Sequence, residues 1–228
     1  RVVFRRTDLD GLEFQIEPDR MAARNSTNLI RDKHRILTIE HIMAALYAFG
    51  IDSIDIELDG EEIPIMDGSA RPFVEALERA GLKKLDSPQE TILIRKSFSL
   101  EEGRASIRVT PADSFEISYR IEFDHPAVGA QELSVEINRE DFTSMIAPAR
   151  TFGFLKDVPE LRARQLALGG SLDNALVLDE KELINGPLRF HDEFVRHKIL
   201  DLVGDLSILE RPVRGRFSAL RAGHGLHL

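Results

Sequence analysis

Residues 83–90, Lys-Lys-Leu-Asp-Ser-Pro-Gln-Glu, limit the fold of this chain more than any other feature, because this polar linker has strand and helix patterns on both sides. Before it, residues 36–50 carry Ile39, Met43, Leu46 and Ala48-Phe49 near helical spacing, with Thr38 placed as N-cap and Gly50 as the stop. Residues 53–58 alternate, Ile54, Ile56 and Leu58 against Ser53, Asp55 and Glu57, and Asp59-Gly60 makes the turn. A second helix is predicted over 72–80, ending at Gly81. Beyond the linker, 91–94, 105–109, 115–123 and 133–137 read as strands, 140–146 as a short helix, and 159–168 as a segment of open type. The longest predicted helix is 192–209, whose Val195, Ile199, Leu202, Leu206 and Leu209 form one apolar stripe. Strands followed by packed helices on both sides predict an α+β protein of two domains, 1–86 and 91–228.

The formal net charge of -9 argues against a nucleic-acid partner, which needs clustered Lys and Arg to meet phosphates. An anionic small molecule remains open, since one or two local cations can hold it. There is no cysteine, so thiolate ligands, disulfides and cysteine nucleophiles are excluded, and any metal must be held by His, Asp or Glu. No run approaches the roughly 18–20 apolar residues of a membrane span, and no charged-then-apolar leader opens the chain, so a cytoplasmic protein is expected. Val2-Val3-Phe4 reads as a strand already under way and Leu226-His227-Leu228 stops without a terminator; both ends read as cut.

Candidate chemistry lies on the other side of the long helix, where His197, Asp201 and Asp205 follow at spacing four and so stack on one face. A solvated polar face gives the same pattern. Against that reading, Asp201 and Asp205 are like charges at spacing four, costing roughly 0.2–0.5 kcal/mol without a nearby cation, and Phe194 and Ile208 flank the face. Glu40-His41 falls in the first turn of the 36–50 helix, where Glu also serves the helix dipole and His can simply pack. Taken together, His41, His197 and Asp201 make a three-ligand zinc set with an open position for water, and Glu40 can act as the base toward that water. His224, in Ala222-Gly223-His224-Gly225, is either a chain-end surface His or, if beside Asp205, a protonated acid for the leaving amine. Thr151 could donate to an oxyanion, but alone it is a Thr like any other.

Several motifs now matter together: Ile36-Leu37-Thr38-Ile39-Glu40-His41, Glu62-Ile63-Pro64-Ile65-Met66-Asp67-Gly68-Ser69-Ala70, Ala149-Arg150-Thr151-Phe152-Gly153-Phe154, Leu168-Gly169-Gly170-Ser171, Asp192-Glu193-Phe194-Val195-Arg196-His197-Lys198 and Gly223-His224. In this order and spread over most of the chain, they resemble the UDP-3-O-acyl-N-acetylglucosamine deacetylases. The resemblance implies two similar domains, each a β-sheet packed with a pair of helices, with the site between them. It implies removal of the acetyl group from a UDP-linked acylated glucosamine, the committed step of lipid A synthesis, by a monomer. It assigns His41, His197 and Asp201 to Zn2+, Glu40 to the base, His224 to the cationic acid with Asp205 as its partner, and Thr151 to the oxyanion. It further assigns Lys198 to the diphosphate, Phe123 to uracil, and Phe152 and Phe154 to the start of a βαβ insert at about 152–178 that receives the acyl chain. The chain departs from the family pattern in lacking the opening Gly-Leu-His segment and the helix after His224. It also lacks the cysteine that some members carry in the segment matching Ser26-Thr27-Asn28.

Two other readings use the same residues. A zinc hydrolase of another amide, such as a peptidase, needs no lysine for a diphosphate, so UDP binding separates it. A catalytically impaired fragment would bind zinc and UDP-sugar without turnover.

Overall fold

The computed structural model describes residues 1–17, 21–23, 26–163 and 169–228. The first half opens with β1 (Val2–Arg6) and β2 (Leu12–Gln15), an antiparallel pair in which Phe4 faces Phe14, both buried. A small antiparallel meander follows, β3 (Met21–Ala23), β4 (Thr27–Arg31) and β5 (His34–Ile36). Helix α1 (Glu40–Ala48) then carries the chain back so that β6 (Ile54–Leu58) pairs parallel with β1, as a crossover connection allows. Helix α2 (Arg71–Ala80) has Pro72 in its first turn and closes at Gly81 with φ 75°, a left-handed value that glycine takes without strain.

Past the exposed linker come β7 (Ile92–Leu93), β8 (Phe98–Glu102), β9 (Ala105–Thr110), β10 (Phe115–Glu122) and β11 (Ala130–Glu136). Next are α3 (Arg139–Asp141), running into a π-helical turn over Phe142–Ile146, then β12 (Phe152–Phe154), α4 (Val158–Ala163) and β13 (Leu176–Leu178). The chain ends with α5 (Glu193–Leu206), β14 (Val213–Leu220) and α6 (His224–His227). The main sheet of this half runs β11-β10-β14-β9-β8, with β7 on the first residues of β14. β12 and β13 pair parallel around α4. Of the 159–168 segment, the part to residue 163 is helical; residues 164–168, including Leu168 of the Leu168-Gly169-Gly170-Ser171 motif, lie outside the described residues.

The protein is thus α+β, with α1 and α5 packed on each other between two sheets. Met43 and Leu46 of α1 join Phe4, Phe14 and Leu58 in one apolar cluster. Ala44 and Ala45, on another side of α1, join Ile199, Leu202 and Val203 of α5, and that cluster continues to Ile117, Tyr119 and Phe217 of the larger sheet.

Three sequence-based expectations change. Thr38 is not the N-cap of α1: Ile39 occupies that position, while Thr38 sits at φ 61° with its hydroxyl donating to Glu62 Oε1 at 3.0 Å. The long helix ends at Leu206, so its apolar stripe stops short of Leu209, which is 42% exposed, while the burial of His197, Asp201 and Asp205 rules out the solvated-face alternative. The central strand β14 is absent from the expected strands: its inward positions include Gly215, whose missing side chain makes room for Ile94 and hides the alternation.

Gly204 sets how closely α1 and α5 approach. A Cβ there would lie 2.1 Å from the carbonyl oxygen of Glu40 and 2.8 Å from its carbon, so backbone would have to move. Alanine is the better helix former by about 1 kcal/mol, but forcing buried backbone apart costs about 1–3 kcal/mol. Gly204→Ala is therefore expected to lower the thermal midpoint and, by displacing Glu40, the activity; an unchanged or higher midpoint in thermal unfolding would refute this crossing as the reason for glycine.

Candidate active site

The α1–α5 contact brings the two His-carboxylate pairs together. The carboxylate of Asp201 points Oδ1 at both imidazoles, 3.3 Å from His197 Nε2 and 4.0 Å from His41 Nε2. The two rings meet edge to face with centroids 5.1 Å apart. One ligand atom from each of the three residues lies within 4.8 Å of the others, and all three are buried. His197 directs Nδ1 at the Ala149 carbonyl, 3.1 Å away, which places the proton on Nδ1 and leaves the Nε2 lone pair facing Asp201. Nδ1 of His41 is buried with no hydrogen-bond partner among the described residues, and its Nε2 is beyond hydrogen-bond reach of Asp201.

Protonation states match a metal site. Burial, and then the neighbouring His197, pushes His41 down to about 3, so its imidazole is neutral at pH 7. His197 is lowered too, mainly by burial. For Asp201 burial acts upward, but His197, Lys198 and His224 together hold it well below the usual carboxylate range. Two neutral imidazoles and one carboxylate, one imidazole without a satisfying partner, are the donor set a divalent cation takes without first displacing protons. These residues therefore fit a metal.

Glu40, the residue before His41, is also buried. Its Oε2 accepts from the Thr27 amide at 3.0 Å, and burial raises it to about 7. Thr27 also donates its hydroxyl to Asp205 Oδ1, so one strand residue of β4 ties the two carboxylates together. On its other oxygen, Asp205 receives His224 Nδ1 at 2.7 Å and His227 Nδ1 at 2.6 Å. Of the two readings of His224, the chain-end surface His is ruled out: the residue is 6% exposed in α6, with Nε2 3.8 Å from Asp201 Oδ2. Burial alone would lower His224, but the charge and hydrogen bond of Asp205, with Asp201, raise it to about 9.

Of the remaining expected residues, Lys198 and Phe152 contact this cluster directly. Lys198 Nζ lies 2.7 Å from Asp201 Oδ2, and although burial acts against its charge, Asp201 raises its pKa. Thr151 stands between Ala149, whose carbonyl meets His197, and Phe152, and its amide donates to Gly68 O at 2.7 Å. Phe123, Phe152 and Phe154 form an aromatic group, with Phe123 5.6 Å from each of the other two, and Phe152 reaches the His197 ring at 6.2 Å. Sequence reasoning missed Thr27, Tyr119 and His227. Only His227 left a signal, its i,i+3 spacing from His224.

A buried pair of neutral imidazoles with a carboxylate, a carboxyl of raised pKa and a cationic imidazole opposite is the equipment of a metal-dependent hydrolase. Residues 2–228 match the family model of UDP-3-O-acyl N-acetylglycosamine deacetylase. A UDP-3-O-acyl-N-acetylglucosamine deacetylase of Campylobacter hominis is 44% identical over 99% of this chain and 77% of its own length. Proteins of the same name from Myxococcus xanthus and Thermodesulfovibrio yellowstonii are each 48% identical over 89% of this chain, covering 65% and 70% of their lengths. The chain belongs to the UDP-3-O-acyl N-acetylglycosamine deacetylase family, a family of metalloenzymes.

Proposed function

We propose that His41, His197 and Asp201 hold a zinc ion, and that Glu40, His224 and Thr151 carry the hydrolysis around it. The family gives the reaction: the chain is a hydrolase that deacetylates UDP-3-O-acyl-N-acetylglucosamine in lipid A synthesis, releasing acetate and the free amine. The observation that carries the assignment of roles is the convergence of three buried ligand atoms within 4.8 Å of one another, with Glu40 next in sequence to one ligand and His224 within 3.8 Å of another. Nitrogen donors favour zinc over magnesium or calcium, which take oxygen shells. A bound zinc ion supplies Lewis acidity and makes water acidic near neutral pH.

The side chains supply the rest. Glu40, held by the Thr27 amide, takes a proton from the attacking water. His224, kept cationic by Asp205, gives a proton to the departing nitrogen. Thr151 donates toward the developing oxyanion. Lys198 exchanges or shares its contact with Asp201 to meet the diphosphate, Phe123 stacks against uracil, and Phe152 and Phe154 begin the acyl passage. A hydrolase of unrelated amides is not favoured, since the named relatives share one substrate. No helix among the described residues is long and apolar enough to cross a membrane, and a cytoplasmic monomer belongs to the same proposal.

Acetate release from UDP-3-O-acyl-N-acetylglucosamine, followed against pH, tests this. Glu40 must be ionised and His224 protonated, so the rate should rise through about 7 or below, since a bound cation lowers the carboxyl, and fall near 9. Asp205→Ala removes the charge that raises His224 and should move the falling limb to lower pH with metal content unchanged. A falling limb that stays in place in both Asp205→Ala and His224→Ala would remove His224 as the acid.

A further inference from the structure

His227 has no part in the reaction as described, yet it is engaged at both ring nitrogens. Its side chain is fully buried, Nδ1 lies 2.6 Å from Asp205 Oδ2, and Nε2 lies 3.0 Å from the hydroxyl of Tyr119. Tyr119, fully buried on β10, has one hydroxyl proton to share between the carbonyl of Ala222 at 2.7 Å and that Nε2, which accepts because Nδ1 carries the proton of the ring. Ala222 stands two residues before His224, so Tyr119 grips both the ring of His227 and the backbone that leads to His224. An ionised carboxylate can only accept, so both Nδ1 atoms on Asp205 Oδ2 must donate, while the Thr27 hydroxyl donates to Oδ1. Three donors on two oxygens fix the plane of the carboxylate. With His224 as its only ring donor, Oδ2 could turn, and the ring it holds could turn with it.

We infer that His227 is a positioning residue for the deacetylation: with Tyr119 it locks Asp205 and the Ala222–His224 backbone so that Nε2 of His224 stays turned toward Asp201 and the ligand cluster. This rests on the reading of His224 as the acid. A group that orients a catalytic side chain from behind acts on turnover more than on substrate affinity, and loosening such a support costs about 10- to 100-fold. Asp205, His224 and His227 also offer one ligand atom each within 4.8 Å, so a second cation is the competing explanation of the cluster.

The test is steady-state deacetylation of UDP-3-O-acyl-N-acetylglucosamine by the metal-loaded protein, with metal content measured on every variant. His227→Ala is expected to lower kcat by about 10- to 100-fold with KM and metal content unchanged. His227→Asn places an amide donor where Nδ1 stood but cannot reach Tyr119, and it should recover most of the loss. Tyr119→Phe should lower kcat in the intact background and lower it by less in His227→Asn, where only the Ala222 contact is left to lose, a non-additivity that holds as a test even if His227→Ala fails to fold. Unchanged kcat in His227→Ala, a His227→Asn variant no better than His227→Ala, additive effects in the pair, or loss of a second metal equivalent with His227 would each overturn the inference. If His224→Ala leaves kcat intact, the acid assignment fails first; if His224→Ala is severe and His227→Ala silent, only the positioning role fails.

Discussion

Glu40→Gln is expected to keep its metal and lose turnover by on the order of 100-fold or more, the contribution of a lost general base. The amide oxygen of Gln can still accept from Thr27, so the α1–β4 contact at 3.0 Å survives and the loss reports chemistry rather than collapse. The distinction matters because Glu40 adjoins the proposed ligand His41 and is buried near Asp201 and Asp205. Metal analysis and kcat measured on the same samples decide it: metal lost in step with activity would make Glu40 a ligand and leave the base to be found elsewhere.

Asp201→Ala should have the opposite signature, loss of metal and of all metal-dependent turnover. Removing Asp201 leaves two neutral imidazoles, too few to hold the cation in a site of this kind. It also strands Lys198, whose ammonium lies 2.7 Å from Asp201 with side-chain exposures of 15% and 5% for the pair. Breaking a buried pair by removing one partner costs about 3–5 kcal/mol. The variant is therefore expected to unfold at a lower temperature, and Asp201→Ala combined with Lys198→Met should regain part of that stability without regaining metal. A single Asp201→Ala variant that still binds one equivalent would overturn the ligand set.

The helix and strand periodicities were legible where side chains alternate cleanly, as in 53–58, 72–80 and 115–123, and the α+β class followed from their order. The sequence also contained the reactive groups: spacing four along α5 stacks His197, Asp201 and Asp205 whatever surrounds them, and Glu40-His41 sits in a first turn by local pattern alone. Local pattern could not say whether these faces met water or each other. That depended on Gly204, where the missing side chain lets α5 approach Glu40, and on β4, a short strand whose Thr27 reaches both carboxylates. The same limit explains the errors. Thr38 has the composition of an N-cap, but its hydroxyl is drawn to Glu62 across the fold, and Gly215 hid β14 because the side chain that fills its space belongs to Ile94.

The sequence by itself determined which groups this protein can bring to a reaction, because residue type and helical spacing are local properties. Only the tertiary structure decided their charge states and partners. The raised carboxyl of Glu40, the neutral His41, the cationic His224 and the second imidazole on Asp205 all come from burial and from contacts between residues far apart in the chain, such as Thr27 with Asp205 and Tyr119 with His227.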